Sequence, residues 1–177
     1  MNETDRTVHL HQRIVLTGFM GSGKTTCGPL LAARLGWQFV DVDVLIESSI
    51  GGPINEFFAR QGEASFRQLE HETIASLLQQ EGLVVALGGG AIEHPETRSM
   101  LLATAGTVLV HLEVELATTL LRCKGTEPLR PILADADNLA ARYQRRMPLY
   151  RLAPVNLSVD ERTPEEVVDA IVEACWA

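Results

Sequence analysis

GFMGSGKT at residues 18–25 fits the pattern G-x-x-x-x-G-K-[ST], and it stands after the apolar run Ile14-Val15-Leu16 and before a helical pattern. A phosphate-binding loop needs that context, with a strand leading in and a helix leading out. The glycines let successive backbone N–H groups turn toward one anion, and the helix contributes its positive end. Gly21, Ser22 and Gly23 then cradle the phosphates with Thr26 just beyond, Lys24 reaches the β- and γ-phosphates, and the Thr25 hydroxyl ligates Mg²⁺. The ligand implied is a nucleoside triphosphate. What receives the phosphate has to be read from the rest of the chain.

Outward from the loop, residues 13–17 read as a buried strand and 24–35 as a helix closed by Gly36. Pro29 sits beyond the first turn of that helix, where it removes one backbone bond and is expected to bend the axis. A second strand over 37–42 ends in Asp41-Val42-Asp43, and a short helix follows to about residue 49, stopped by Gly51-Gly52-Pro53. Helices are expected over 54–60 and 63–80, separated by Gly62. In the second, Phe66, Leu69, Ile74 and Leu77 form one apolar face, while Arg67 and Glu70 lie three apart on another. Strands at 83–87, 107–112 and 155–159 alternate with helices at 95–103, 114–122, 135–150 and from Pro164 onward. Residues 124–131, polar and holding Gly125 and two prolines, read as a mobile loop. This alternation specifies an α/β fold with a mostly parallel sheet. Ligands of such sheets bind beyond the carboxyl ends of the strands. Gly18, Asp41 and Gly88 all follow strand ends, so independent unusual residues converge on one edge.

A length of 177 residues suits one domain spanning 1–177 with a proper core. The formal charge of −8, with no basic stripe to offset it, argues against a nucleic-acid surface. No apolar run approaches membrane-spanning length, and residues 1–13 lack the apolar core of a signal peptide, so neither a membrane nor export is expected. Cys27, Cys123 and Cys175 are odd in number and far apart, which argues against a disulfide framework or a zinc site and for a reducing cytoplasm. No coiled-coil pattern or self-complementary strip is evident, so a monomer is the default. The five histidines, at 9, 11, 71, 94 and 111, show no ligand spacing beyond His9-x-His11 and read as structural.

Two carboxylates and two arginines carry the remaining chemistry. Asp41 and Asp43 lie past a strand end and share a direction if the chain stays extended there. One would hold the Mg²⁺ shell while the other accepts a proton from a hydroxyl; the plainer alternative is a helix N-cap followed by a solvated acid. Arg67 and Arg146 offer planar forks that grip a carboxylate in paired hydrogen bonds, so together they suit a small acid. The alternative is surface ion pairs, Arg67 with Glu63 or Glu70 and Arg146 with a partner the sequence does not name. Gly88-Gly89-Gly90 would bring backbone N–H groups up to the same ligand, or serve only as a turn. Arg122, Lys124 and Arg130 flank the 124–131 loop, and Arg130 beside Pro131 would swing over the triphosphate to neutralise transition-state charge.

These stretches together resemble shikimate kinase: GFMGSGKT at 18–25, DVD at 41–43, GEASFRQLE at 62–70, LGGGA at 87–91, LRP at 129–131 and RMPLY at 146–150. The likeness runs from about residue 14 to the terminal helix. It implies a three-layer α/β/α P-loop NTPase fold of nucleoside monophosphate kinase type, with a five-stranded parallel sheet, a substrate-binding helical region at about 43–72 and a lid at about 122–132. It also implies Mg²⁺- and ATP-dependent phosphorylation of the shikimate 3-hydroxyl, on the route to chorismate and aromatic amino acids. By motif, Asp43 contacts the accepting hydroxyl, and Arg67, Gly89 and Arg146 bind the carboxylate with Gly88 and Gly90 beside them. Glu70 braces this site, and Phe58 and Phe66 line it. Lys24 and Arg130 serve catalysis, Thr25 and Asp41 serve Mg²⁺, and Arg122 and Arg162 approach adenine. A kinase for another hydroxy acid, such as gluconate, shares the P-loop but has no need of the GEASFRQLE and GGG set together. A silent homologue that only binds ligands would be expected to lack Lys24, Asp43 or Arg130, and all three are present.

Overall fold

The computed structural model describes residues 11–124 and 136–176. Within them five strands form one sheet in the order β2-β3-β1-β4-β5, and every pairing is parallel. The central strand is β1 (Arg13–Thr17), flanked by β3 (Leu83–Ala86) and β4 (Thr107–Glu113), with β2 (Gln38–Asp41) and β5 (Val155–Ser158) at the edges. Burial follows position: β1 and β3 are buried at every residue, whereas both edge strands are partly exposed. A strand covered on both faces has no polar side to show, which is why Ile14-Val15-Leu16 and Leu83-Val84-Val85 read as unbroken apolar runs.

Helix α1 (Lys24–Leu35) packs on β1, β2 and β3, and α7 (Pro164–Trp176) lies against α1, while α4 (Pro95–Ala103) covers β4. The sheet register then fixes the site. Leu16 pairs with Ala86, Ala86 with Asp41, and Thr17 with His111, so the chain leaves all four strands at one edge. The stretches that follow, 18–25, 41–43 and 87–90, are therefore neighbours in space. A second structural anchor is α6 (Ala136–Tyr150), whose Tyr143 ring meets Phe19 edge-on at 5.2 Å and whose hydroxyl donates to the Val114 carbonyl at 2.9 Å.

Two expectations from the sequence are corrected here. First, β2 ends at Asp41, and α2 (Val42–Ile50) begins at once. Asp41 Oδ1 accepts from the backbone N–H groups of Asp43 at 3.0 Å and Val44 at 3.2 Å, an N-cap that starts the helix immediately. The chain is not extended through Asp43, so the two aspartates do not share a strand direction. Second, α3 (Ile54–Leu77) ends before residue 80 and buries Phe66, Glu70, Ile74 and Leu77 on one stripe. Glu70 thus shares the buried face with Phe66, Ile74 and Leu77, whereas the spacing had put it with Arg67 on a separate one. The kink falls at Gly62, whose φ of 80° and ψ of 168° interrupt the helix between the two expected segments. Smaller shifts occur at α5 (Leu116–Cys123), which starts two residues late, because the Asp160 carboxylate accepts the Glu115 N–H just ahead of it at 3.0 Å.

Candidate active site

A cleft of about 700 Å³ opens at the strand-end edge. Its floor is the phosphate loop. Gly23 takes a left-handed φ of 92° as the cap of α1, a conformation that a side chain would resist, and its carbonyl accepts the N–H groups of Thr26 and Cys27. Lys24 Nζ donates to the carbonyls of Gly18 at 2.7 Å and Phe19 at 3.1 Å and to Ser22 Oγ at 3.3 Å. Those acceptors hold the ammonium over the loop, where a phosphate would meet it. Gly21, Ser22, Gly23, Lys24, Thr25 and Thr26 all line the cleft.

At one end of the cleft Arg122, on α5, donates to the Gly21 carbonyl at 3.0 Å and to the Val159 carbonyl at 2.9 Å. It ties the phosphate loop to the segment after β5. Arg162, Pro164 and Val167 line the same end, giving it a mixed basic and apolar wall. Arg130, Pro131 and Gly125 lie outside the described residues, as does His9.

At the other end stand Asp41, Asp43, Leu87, Gly88, Gly89 and Arg146. Asp43 is half-buried in the first turn of α2; burial raises its pKa, the Asp41 charge adds to this, and Lys24 opposes it. Glycine is required at Gly88 and Gly90 by closeness. A methyl group on Gly88 would sit 2.6 Å from Asp43 Oδ1 and 3.1 Å from Glu70 Oε1, and one on Gly90 would press within 2.8 Å of Arg67 Cζ. The three-glycine stretch is thus a cradle pressed onto Asp43, Glu70, Arg67 and Arg146, beyond what a simple turn needs.

The arginines are paired but not at the surface. Arg67 Nη1 meets Glu70 Oε2 at 2.6 Å and Nη2 meets Glu63 at 3.3 Å, so both carboxylates that the spacing offered are used. Burial works against the Arg67 charge, and the two glutamates outweigh it and raise its pKa. Arg146 is buried, and its partner is Glu93, at 2.8 Å; Arg145 holds the other oxygen of Glu93 at 2.7 Å. Burial disfavours the Glu93 carboxylate, but Arg145 and Arg146 prevail and lower its pKa. Tyr150, fully buried, donates its hydroxyl to the Gly89 carbonyl at 2.6 Å, and burial pushes its pKa up to about 12. Neither Glu93 nor Tyr150 was singled out by the sequence. Their partners lie 53 and 61 residues away, and no local spacing signals such contacts.

Not every expected residue reaches the open cleft. Arg67, Glu70 and Gly90 adjoin it through Asp43 and Gly88 rather than lining it. Phe66 is buried, with the Phe58 ring tilted against it at 4.6 Å between ring centres and the Arg67 guanidinium 5.3 Å above its ring. The two phenylalanines therefore support Arg67 from behind instead of forming a wall of the cleft. No cluster of three or more His, Cys, Asp or Glu that could hold a metal occurs among the described residues.

A family model described as shikimate kinase matches residues 20–176. The chain belongs to the shikimate kinase family. Curated members include the shikimate kinase of Geobacter sulfurreducens, 45% identical in an alignment of 163 positions that covers 90% of this chain and 88% of that one. The shikimate kinase of Synechococcus sp. (strain CC9605) is 39% identical, over 90% of this chain and 80% of its own. Among solved structures, shikimate kinase from Acinetobacter baumannii in complex with shikimate superposes with a TM-score of 0.86 at 31% identity, covering 94% of each chain. A gluconokinase from Sinorhizobium meliloti 1021 shares the fold alone, with a TM-score of 0.62 at 18% identity. The gluconate alternative therefore keeps the architecture without the sequence.

Proposed function

We propose that this chain transfers the γ-phosphoryl group of ATP to the 3-hydroxyl of shikimate, giving shikimate 3-phosphate and ADP on the route to chorismate and aromatic amino acids. The observation that carries this reading is the single cleft that joins the Lys24 loop to Asp43, Gly88-Gly89 and Arg146, with Arg67 directly behind. ATP lies along the phosphate loop with its base toward Arg122 and Arg162. The acid lies at the opposite end, its carboxylate gripped by Arg67 and Arg146 and by the Gly89 N–H. Asp43 orients the 3-hydroxyl and takes its proton as the new O–P bond forms and the bond to the β-phosphate oxygen breaks. A raised carboxylate pKa suits that task, because a base works best when its pKa approaches the operating pH. Lys24, together with Arg130 from the 122–132 segment, offsets the charge that spreads over the transferring group.

Mg²⁺ is the ion this arrangement fits. Thr25 and Asp41 both line the cleft with oxygen donors, and Mg²⁺ takes its remaining ligands from phosphates and water. The bound ion would draw charge from the β- and γ-phosphate oxygens. Asp41 serves it with the oxygen that does not cap α2. The chain acts as a monomer on small molecules. A cytoplasmic location is supported by Cys27, Cys123 and Cys175, all of which carry thiols. Among the described residues no helix is long and apolar enough to cross a membrane. The deciding assay is ADP release with shikimate, quinate and gluconate as acceptors. Shikimate should exceed the other two by at least tenfold in kcat/KM; preference for gluconate, or binding of both ligands without ADP release, would overturn the reading.

A further inference from the structure

Glu70 presents an unusual pair of oxygens. Its residue is 1% exposed; Oε2 is held by Arg67, and Oε1 is buried with no hydrogen-bond partner. A buried carboxylate oxygen without a donor is costly, and a neutral carboxyl avoids that cost by carrying its own hydrogen. The charged groups facing it are Arg67 on its own helix, Asp43 across Gly88, and Arg146 from α6. The two arginines are not spare charge. Arg67 is shared with Glu63, and Arg146 is engaged by Glu93.

We infer that binding of the acid substrate drives a proton from solvent onto the Oε1 oxygen of Glu70. The inference rests on the reading that a carboxylate docks on Arg67. Each outer nitrogen of that guanidinium holds one glutamate and keeps a second N–H, so the incoming carboxylate competes with both glutamates for the same charge. Glu63 is the one that gives way, because its side chain is 68% exposed and water can receive it. Glu70, at 2% side-chain exposure, has nowhere to go. Two consequences then act on Glu70 with the same sign. A carboxylate enclosed in the cleft takes the place of the water-screened Glu63 on Arg67, and the substrate expels water from the cleft. Each favours the neutral acid.

The starting point makes the effect measurable. Burial, with Asp43 adding to it and Arg67 opposing, already pushes the Glu70 pKa up to about 7. At pH 8 about one-tenth of the free protein therefore carries the proton, and a further rise of one to two pH units brings about half to nine-tenths. Binding at pH 8 should take up about 0.4–0.8 proton. By linkage, proton uptake means that affinity for the acid falls as pH rises, here by about 5- to 25-fold between pH 7 and 9.

The test is calorimetry of shikimate binding to the whole protein at pH 8 in buffers of different ionisation enthalpy, where the slope of heat against that enthalpy counts protons. The wild type should show uptake in the stated range, and Glu70→Gln, which keeps the shape and an acceptor for Arg67, should bind shikimate with a slope near zero. A buffer-independent heat for the wild type, or an undiminished slope in Glu70→Gln, overturns the inference. Infrared difference spectra cover the case in which the variant does not fold. In the wild type, shikimate should produce a neutral-carboxyl band that stays in place when the shikimate carboxylate carries ¹³C. A band that moves with the label puts the proton on the substrate and also overturns it. No binding heat in any buffer removes the substrate reading itself and this inference with it.

Discussion

Replacing Gly88 with alanine isolates the position of Asp43 from its chemistry. Gly88 does not have a positive φ, so alanine meets no backbone objection, and the whole effect comes from the added methyl group. That methyl would sit 2.6 Å from Asp43 Oδ1, where about 3.4 Å is the ordinary limit, so the carboxylate must retreat by about 0.8 Å. It cannot retreat toward Glu70, because Glu70 Oε1 already stands 3.1 Å from the same point. Overpacking of this size costs about 1–3 kcal/mol, and at this chain length each kcal/mol lowers Tm by about 2–4 °C. The catalytic effect should be larger. A misplacement near 1 Å can cost about 100-fold when a reaction depends on alignment, so kcat for shikimate should fall about 10- to 100-fold. ATP affinity should not change, since the phosphate loop is untouched. The assay is ADP release at saturating ATP over a range of shikimate, with Tm and nucleotide binding measured on the same preparation. A folded Gly88→Ala protein with kcat within twofold of wild type would refute the placement of Asp43 against the reacting hydroxyl.

Other substitutions separate the remaining roles. Gly90→Ala pushes on Arg67 rather than Asp43, so it should raise the shikimate KM about tenfold or more while kcat changes less, as should Arg67→Ala; an unchanged KM in both would remove Arg67 from the acid site. Asp43→Asn should retain ATP binding by calorimetry and lose at least about 100-fold in turnover, and near-normal turnover would show that no base is needed. Tyr150→Phe leaves the half-buried Gly89 carbonyl without its donor, which should cost about 0.5–1.5 kcal/mol in a melting experiment and raise the shikimate KM. His111 is buried on β4, and burial holds its pKa below 6.5. The unfolded chain therefore takes up a proton there that the folded one resists, and stability is lost as pH falls below about 6.5. His111→Phe should flatten that acid limb in melting curves from pH 7.5 to 5, and an unchanged slope would mean that other groups set it.

The parts of the site that could be read from the sequence are those whose geometry is local. The phosphate loop depends on eight consecutive residues, and the central strands announce themselves because burial on both faces removes every polar residue from Ile14 to Leu16. The Asp-x-Asp reading failed on direction because a capping aspartate and a strand-end aspartate look alike in sequence; only the hydrogen bonds from Asp43 and Val44 reveal which one is present. That outcome joins the two alternatives, for Asp41 caps α2 and still lines the cleft. Glu70 was expected to brace the site, but its full burial was not legible, because apolar periodicity sets a carboxylate apart from the buried face. Its burial depends on Arg67 one turn earlier and on the absence of a side chain at Gly88, and neither is visible in helical periodicity.

Charge alone does not explain the choice of acceptor at this site. Gluconate and shikimate both carry a carboxylate, so a pair of arginines accepts either. What differs is the space. Arg146 is buried and Arg67 partly so, and Glu63, Glu70 and Glu93 orient them before any substrate arrives, so they present fixed forks rather than searching ones. Against them lies a three-glycine segment so close that one added carbon at residue 88 or 90 would collide with Asp43 or Arg67. Tyr150, itself fully buried, pins its middle carbonyl from the protein side. A rigid ring can place its carboxylate on the arginines and its hydroxyl on Asp43 at once, losing little conformational freedom. An open-chain polyol must freeze several bonds to do the same, at a cost of about 0.5–1.5 kcal/mol for each flexible group immobilised. Under the proposed function, the arginines would select an acid and the rigidity of the cradle a cyclic one.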